Sequence, residues 1–258
     1  MKKMTTEVIS QSCLTDGIFD LLLQADEIAK EAKAGQFVNV YSHNASKLLP
    51  RPISLCGIDK EKGQIRLVYR VTGEHTGTEE FSELKSGEKV DVLGPLGNGY
   101  ELSAEHPVLV GGGIGIPPML ELGKQFFEAG KEPYFVLGYR NKDLFLADEF
   151  QKYGKLIIST DDGSVGIHGT VVDAIRLGEL EADAYYACGP TPMLKGLKAL
   201  AIEQDLPAYL SLEQRMACGI GACLACVCKT KEKDEHSQVN NARVCVEGPV
   251  FEAREVEL

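Results

Sequence analysis

Five of the eight cysteines in this 258-residue sequence fall between positions 218 and 245, and four of them are spaced as metal ligands are. Cys218, Cys223 and Cys226 are separated by four and then two residues, and Cys245 follows after eighteen more. Three thiolates on one short loop with a distant fourth is the spacing that holds a plant-type [2Fe–2S] cluster. The run Cys218-Gly-Ile-Gly-Ala-Cys223 adds glycines that let backbone N–H groups approach the cluster sulfurs. The competing reading is a structural zinc site, although zinc ribbons usually offer two separated C-x2-C pairs rather than three cysteines against one. Cys228, two residues past Cys226, is the substitute ligand, but the spacing leaves it out and it reads as a buried thiol. Cys13 and Cys56 read as packing residues.

A second run capable of chemistry is Val108-Leu-Val-Gly-Gly-Gly-Ile-Gly-Ile-Pro-Pro-Met119, a strand, a glycine-rich turn and a helix start. That arrangement aims backbone N–H groups and a helix dipole at a phosphate. It departs from G-x-G-x-x-G because the third glycine is missing. Two further apolar strands, ending in Leu137-Gly-Tyr-Arg140 and Tyr186-Ala-Cys-Gly-Pro-Thr-Pro-Met193, also finish with glycine where open α/β sheets bind ligands.

The elements that must carry these residues follow from periodicity. Up to about residue 100, short β-branched runs at 35–41, 53–58, 63–71 and 89–93 alternate with turn residues and read as an antiparallel barrel. Within 64–70, Ile65, Leu67 and Tyr69 fall on one face and Arg66, Val68 and Arg70 on the other. Beyond His106, strands at 108–110, 134–137, 156–159 and 184–187 alternate with helices at 117–129, 171–176 and from Pro192, which implies a parallel sheet. Gly130 is placed to stop the first of those helices. The expected architecture is therefore multidomain: a β-barrel over 1–100, an α/β domain over 101–206 and a small cysteine domain over 207–258 with a charged loop at 229–235.

Together, Arg51-Pro-Ile-Ser54, Gly73-Glu-His-Thr76, the Gly111 turn and Cys188-Gly-Pro-Thr-Pro-Met193 resemble the ferredoxin-NADP reductase superfamily in content and order. The resemblance implies that FAD is held by Arg51, Pro52, Ile53 and Ser54 on one barrel strand. It adds Val68, Tyr69 and Arg70 on the next strand and Gly73, His75 and Thr76 in the loop after it. Ile53 stands where the family motif has Tyr or Pro. NAD would be received by Gly111, Gly112, Gly113, Ile114 and Gly115 with Cys188, Gly189 and Pro190. Asp161 and Asp162 would repel the 2′-phosphate of NADP if they border that ribose; their plainer role is a turn before Gly163.

The cysteine run and Arg243-Val-Cys-Val-Glu-Gly-Pro-Val-Phe251 narrow the resemblance to the electron-transfer subunits of type B, NAD-dependent dihydroorotate dehydrogenases, over essentially the whole chain. It implies a partner subunit that oxidises dihydroorotate at FMN in pyrimidine (UMP) biosynthesis, and a heterotetramer of two plus two. Electrons would pass through the [2Fe–2S] cluster and FAD to NAD, with no side-chain acid or base in the NAD step. Two alternatives stand beside it: a similar subunit serving a glutamate-synthase-like or hydrogenase partner, and a non-catalytic metal-binding module.

A formal net charge of -11 excludes nucleic acid and anionic membrane surfaces as partners. The first ten residues have lysines but no apolar run behind them, and the uncharged stretch 107–120 is too short and too rich in Gly and Pro to span a bilayer. The expected location is the cytoplasm, where clustered cysteines point to metal or redox chemistry rather than disulfides.

Overall fold

The computed structural model describes residues 1–233 and 238–258; Asp234 and Glu235 of the charged loop lie outside the described residues. Six antiparallel strands close the barrel in the order β1-β2-β5-β4-β3-β6. They are β1 (Lys2–Thr15), β2 (Ile18–Gln24), β3 (Phe37–Tyr41), β4 (Arg51–Asp59), β5 (Gln64–Arg70) and β6 (Lys89–Leu96). Short helices α1 (Asp26–Glu31) and α2 (Gly77–Ser82) lie in the β2–β3 and β5–β6 connections. On β5 the alternation holds, since Ile65, Leu67 and Tyr69 join Val8, Leu21 and Val92 inside the barrel. Val68, on the other face, is buried as well, against Leu109 and Ile116 of the next layer, so this outer wall is an interface rather than a solvated face. Cys56 is buried as expected, but Cys13 is exposed on β1, its thiol donating to the Thr15 carbonyl at 3.1 Å. A β1 side chain needs inward register as well as an apolar type in order to pack.

The second layer is a sheet of six parallel strands, β7 (Pro107–Gly112), β8 (Tyr134–Tyr139), β9 (Lys155–Thr160), β10 (Ile167–His168), β11 (Ala184–Cys188) and β12 (Ala208–Ser211). Covering helices are α3 (Ile116–Glu128), α4 (Ala147–Phe150), α5 (Val171–Gly178) and α6 (Thr191–Glu203). Pro117 and Pro118 occupy the first turn of α3, and Gly130, at φ +80°, ends it in the left-handed conformation. Thr170 caps α5 reciprocally with Asp173, accepting its N–H at 3.2 Å while Asp173 accepts that of Thr170 at 2.8 Å. After β12 the chain leaves the sheet, forms the two-stranded β13 (Val227–Lys229) and β14 (Asn241–Arg243), and returns as β15 (Val250–Glu252). β15 pairs antiparallel with β12 as the seventh strand, giving the order β10-β9-β8-β7-β11-β12-β15. The barrel and the parallel sheet expected from the sequence are present, and residues 207–258, expected as a cysteine domain, supply the cysteine segment and also two strands of the sheet, β12 and β15, on either side of it.

Two polar contacts lock barrel to sheet layer. Arg66 on β5 reaches Asp20 on β2 at 2.8 Å and Glu149 on α4 at 2.7 Å. Glu121 on α3, 3% exposed, accepts the Ile58 N–H of β4 at 2.9 Å and the Gln125 amide at 2.7 Å. A buried carboxylate needs such donors, and here one comes from the neighbouring layer.

Candidate functional site

Beside β7 the strand order reverses, because the chain moves to one edge through β8 and to the other through β11. Ligands of open α/β sheets bind at the carboxyl ends of strands at such a switch point, and a cavity of about 990 Å³ opens there. Gly112, Gly113, Ile114 and Pro190 line it, and Arg70 reaches it from the barrel. Gly111, Gly115, Cys188 and Gly189 instead build its walls. A Cβ on Gly115 would run into the Cys188 carbonyl, one on Gly111 would stand 3.0 Å from Ile116 Cα, and ones on Gly112 or Gly189 would stand 2.5 Å from Met193. The glycine run lets two loops interlock, and within it Gly113 alone has a positive φ, +54°. Pro117 and Pro118 strip two N–H donors from the start of α3, which leaves the helix dipole and the loop amides, rather than a full set of helix donors, facing the crevice.

Cys188 is 2% exposed, and burial, reinforced by the Glu213 charge, pushes its thiol up to about 12, so it is neutral. Glu213 lines the cavity; enclosure raises its carboxyl and the positive charge of Arg70 opposes that shift. Asp161 and Arg140 also line the cavity, whereas Asp162 is not among the lining residues.

On the barrel, Arg51 opens β4 with its guanidinium against the first residue of α2. A Cβ on Gly77 would lie 3.2 Å from Arg51 Nε. Thr76 caps α2, accepting the Glu79 N–H at 3.2 Å and donating to the Gly73 carbonyl at 2.9 Å, and Lys47 donates to the Thr76 carbonyl at 2.9 Å. Gly73, at φ +130°, has open space where a side chain would stand, and His75 takes φ +58°, a left-handed conformation uncommon outside glycine. Its N–H donates to Glu79 at 2.5 Å, which holds the turn. Positions 51, 73, 75 and 76 are thus brought together around two cations and an open turn. Pro52 and Ser54 lie half-buried on the outer face of β4, while Ile53, 6% exposed, points into the barrel core. Tyr69 is also turned inward, its ring 6.0 Å from Phe19 and its hydroxyl donating to Gln11 at 3.0 Å. The side chains of Ile53 and Tyr69 therefore pack the barrel core, and that of Val68 the core between barrel and sheet.

The four spaced cysteines come together in two pairs. Cys218 has Cys223 as its thiol neighbour and Cys245 has Cys226, and Cys245 also feels the charge of Cys218. Among the described residues, no three Cys, His, Asp or Glu side chains converge on a single metal-ion position. Gly219 and Gly221 take φ +70° and +80°, and the N–H groups of Ile220 and Gly221 point at Cys218 Sγ (3.4 Å) and Cys245 Sγ (3.2 Å). Burial raises the Cys218 thiol, but N–H groups led by that of Ile220 outweigh it and bring the thiol below its ordinary value. Arg243 ties the halves together, its Nη1 donating to the Gly221 carbonyl at 3.2 Å while Nε binds Glu247 at 3.0 Å. Asn98, just past β6, donates to the carbonyls of Val246 (3.1 Å) and Glu247 (3.0 Å), hooking the Cys245 turn to the barrel. Cys228, on β13, shares the core cluster with Cys226 and Cys245, and burial first, then the charge of Cys226, raises its thiol.

Comparison with known proteins bears on both ends of the chain. Residues 5–100 match the oxidoreductase FAD-binding domain, and residues 213–257 match the iron-sulfur cluster binding domain of dihydroorotate dehydrogenase B. The chain is 44% identical to the dihydroorotate dehydrogenase B (NAD(+)), electron transfer subunit of Bacillus pumilus, covering 100% of this chain and 99% of that protein. It is 43% identical to the subunit of the same name from Streptococcus mutans, covering 99% and 98%. The chain belongs to this family of electron transfer subunits. A chain from the structure of an NADH-dependent reduced ferredoxin-NADP oxidoreductase, studied for flavin-based electron bifurcation, aligns with TM-score 0.86 and 34% identity over 98% of this chain and 89% of that one.

As a member of that family, the chain has the FAD-binding and iron–sulfur domains that the motifs implied. Its sequence did not disclose Glu213, which reaches the crevice from just past β12, or Asn98, which braces the cysteine loop, and it placed Arg243 in a motif without showing its contact with Gly221. Their signals are contacts between distant segments, and no local pattern encodes them.

Proposed function

We propose that the chain carries electrons from a partner subunit, which oxidises dihydroorotate at FMN, to NAD in pyrimidine biosynthesis. In this reading Cys218, Cys223, Cys226 and Cys245 hold a [2Fe–2S] cluster, the barrel holds FAD and the crevice beside β7 receives NAD. The observation that carries it is that backbone N–H groups of the glycine loop aim at thiols from both ends of the cysteine set, Ile220 at Cys218 Sγ (3.4 Å) and Gly221 at Cys245 Sγ (3.2 Å). Three cysteines on one loop with a distant fourth, under such donors, suit a [2Fe–2S] cluster better than the two C-x2-C pairs of a zinc ribbon. When bound, the flavin supplies the exchange between the single electrons of a cluster and the electron pair that NAD accepts.

Arg51 offers a planar fork to a phosphate, and the open turn at Gly73 allows close backbone approach, while Lys47 is already paired with Glu80 at 3.3 Å. Gly112, Gly113 and Ile114 present backbone to the dinucleotide, and Gly111, Gly115, Cys188 and Gly189 fix the shape of its pocket. Asp161 on the cavity wall supports NAD over NADP by repelling a 2′-phosphate, while Asp162 is aside from the cavity. In this reading the complex works in the cytoplasm as two of each subunit; among the described residues no helix is long and apolar enough to cross a membrane.

The deciding assay is anaerobic dihydroorotate-dependent reduction of NAD by the chain co-purified with the FMN-containing dihydroorotate dehydrogenase of its host. NADH formation only when both chains are present is the expected result. If the proteins neither associate nor couple, while this chain alone passes electrons from NADH to an artificial acceptor, the partner assignment gives way to another flavin and iron–sulfur complex.

A further inference from the structure

Asn39 lies in the middle of β3, between Val38 and Val40, both fully buried in the barrel core. Alternation turns its side chain outward, yet it is 0% exposed because the cysteine loop covers it. Its Nδ2 donates to the Cys218 carbonyl at 3.3 Å, and Gly219 packs so closely that a Cβ there would stand 3.1 Å from Asn39 Cγ. Across the strand pair, Asn39 is in register with Pro52 of the 51–54 run. One residue therefore touches the segment proposed to hold the cluster and borders the strand proposed to hold the flavin.

Stability alone does not account for asparagine at this position. Its Oδ1 is buried without a partner among the described residues, and an unsatisfied buried acceptor is destabilising, whereas an apolar side chain of similar shape would avoid it. What the amide does supply is direction. The carbonyl it holds belongs to the Cys218–Gly219 peptide, and the next N–H along the chain, that of Ile220, points back at Cys218 Sγ. The held carbonyl is thus a fixed point one peptide away from that donor.

We propose that Asn39 is a positioning residue for the cysteine loop: its carboxamide fixes the Cys218–Gly219 peptide on β3 and thereby sets the N–H···S bonds that tune the cluster. This rests on the cofactor reading given under Proposed function. Hydrogen bonds to cluster sulfurs stabilise the more negative, reduced state and so raise the reduction potential. Weakening them shifts the potential downward.

The test compares wild type, Asn39→Leu and Asn39→Ser in the intact complex, measuring iron, sulfide and flavin per chain, the melting temperature, and an EPR-monitored redox titration. Expected for Asn39→Leu are full flavin, a melting temperature equal to or above wild type, altered EPR g-values and a more negative cluster potential. Loss of iron and sulfide from both variants with flavin retained also supports the assignment, since the loop then depends on the amide and the barrel does not. A cluster-loaded variant with wild-type g-values and potential overturns it, as does joint loss of flavin and cluster from both variants. A wild-type complex with flavin but no cluster signal overturns instead the cofactor reading on which it rests.

Discussion

Around the crevice, backbone packs on backbone: the β7 and β11 turns interlock through Gly112, Gly115 and Gly189, and five parallel strands flank or extend β7. Around the cysteines, the regular structure is two three-residue strands, and the loop is braced by single side chains, Asn39, Asn98 and Arg243. The first site takes its shape from the folded core. The second takes its position from the fold and is left to take its final geometry from the group it binds, as small metal-binding segments do. Ligand substitutions should therefore act on cofactor content at the second site, and packing substitutions on stability at the first.

The largest expected effect is at the second site. Cys245→Ser should abolish the cluster, whereas Cys228→Ser, altering a buried core thiol outside the two pairs, should leave iron and sulfide per chain at the wild-type level. Loss of iron in the Cys228 variant would redraw the ligand set. Next comes Gly115→Ala, whose Cβ would overlap the Cys188 carbonyl. Overpacking of this kind costs about 1–3 kcal/mol, readable by urea denaturation, and iron content should not change. If iron fell with stability, the two sites would be one cooperative unit rather than two.

Two substitutions at the barrel–sheet contact sharpen the contrast further. Arg66→Met removes the partner of Asp20 and Glu149, all partly exposed, with an expected loss of about 1–2 kcal/mol after allowance for screening. The Arg66 hydrogen bonds hold the Glu149 carboxyl below its ordinary value, so their contribution is present above the unfolded pKa and lost as pH falls through the depressed folded pKa. In the Arg66 variant this acid-side loss should shrink in urea titrations run from neutral to acid pH.

The smallest effect belongs to Glu121→Gln. Burial raises the Glu121 carboxyl, so the folded state holds that proton more tightly, and the resulting stabilisation is full below the unfolded pKa and lost as pH rises through the raised folded value. The amide should change stability at neutral pH by about 1 kcal/mol or less and flatten the pH dependence just above the ordinary carboxylate range. Retention of the wild-type slope would assign that titration to another group.

Periodicity disclosed the barrel and the parallel sheet, because each is encoded in residues close along the chain, and spacing singled out the four cysteines. Register across segments was harder to read. Val68 looks like an outward barrel residue until α3 and β7 cover it, and Ile53 and Tyr69 sit within a cofactor motif while their side chains fill the core. The runs that become β12 and β15 are four and three residues long, too short to announce that they share a sheet with β7. Asn39 looks like a polar interruption in an apolar strand; only the packed loop shows what it faces.

The excursion from β12 to β15 has a consequence for how such proteins diversify. The two strands are immediate neighbours, paired from Tyr209 with Glu252 to Ser211 with Val250, so the cysteine segment enters and leaves the sheet at adjacent points. A segment with that topology behaves as a cassette: it can be lengthened, exchanged for another redox module or trimmed to a turn without re-threading the strands beneath it. Genetic exchange at this one edge would give the same flavin and dinucleotide scaffold a new electron donor.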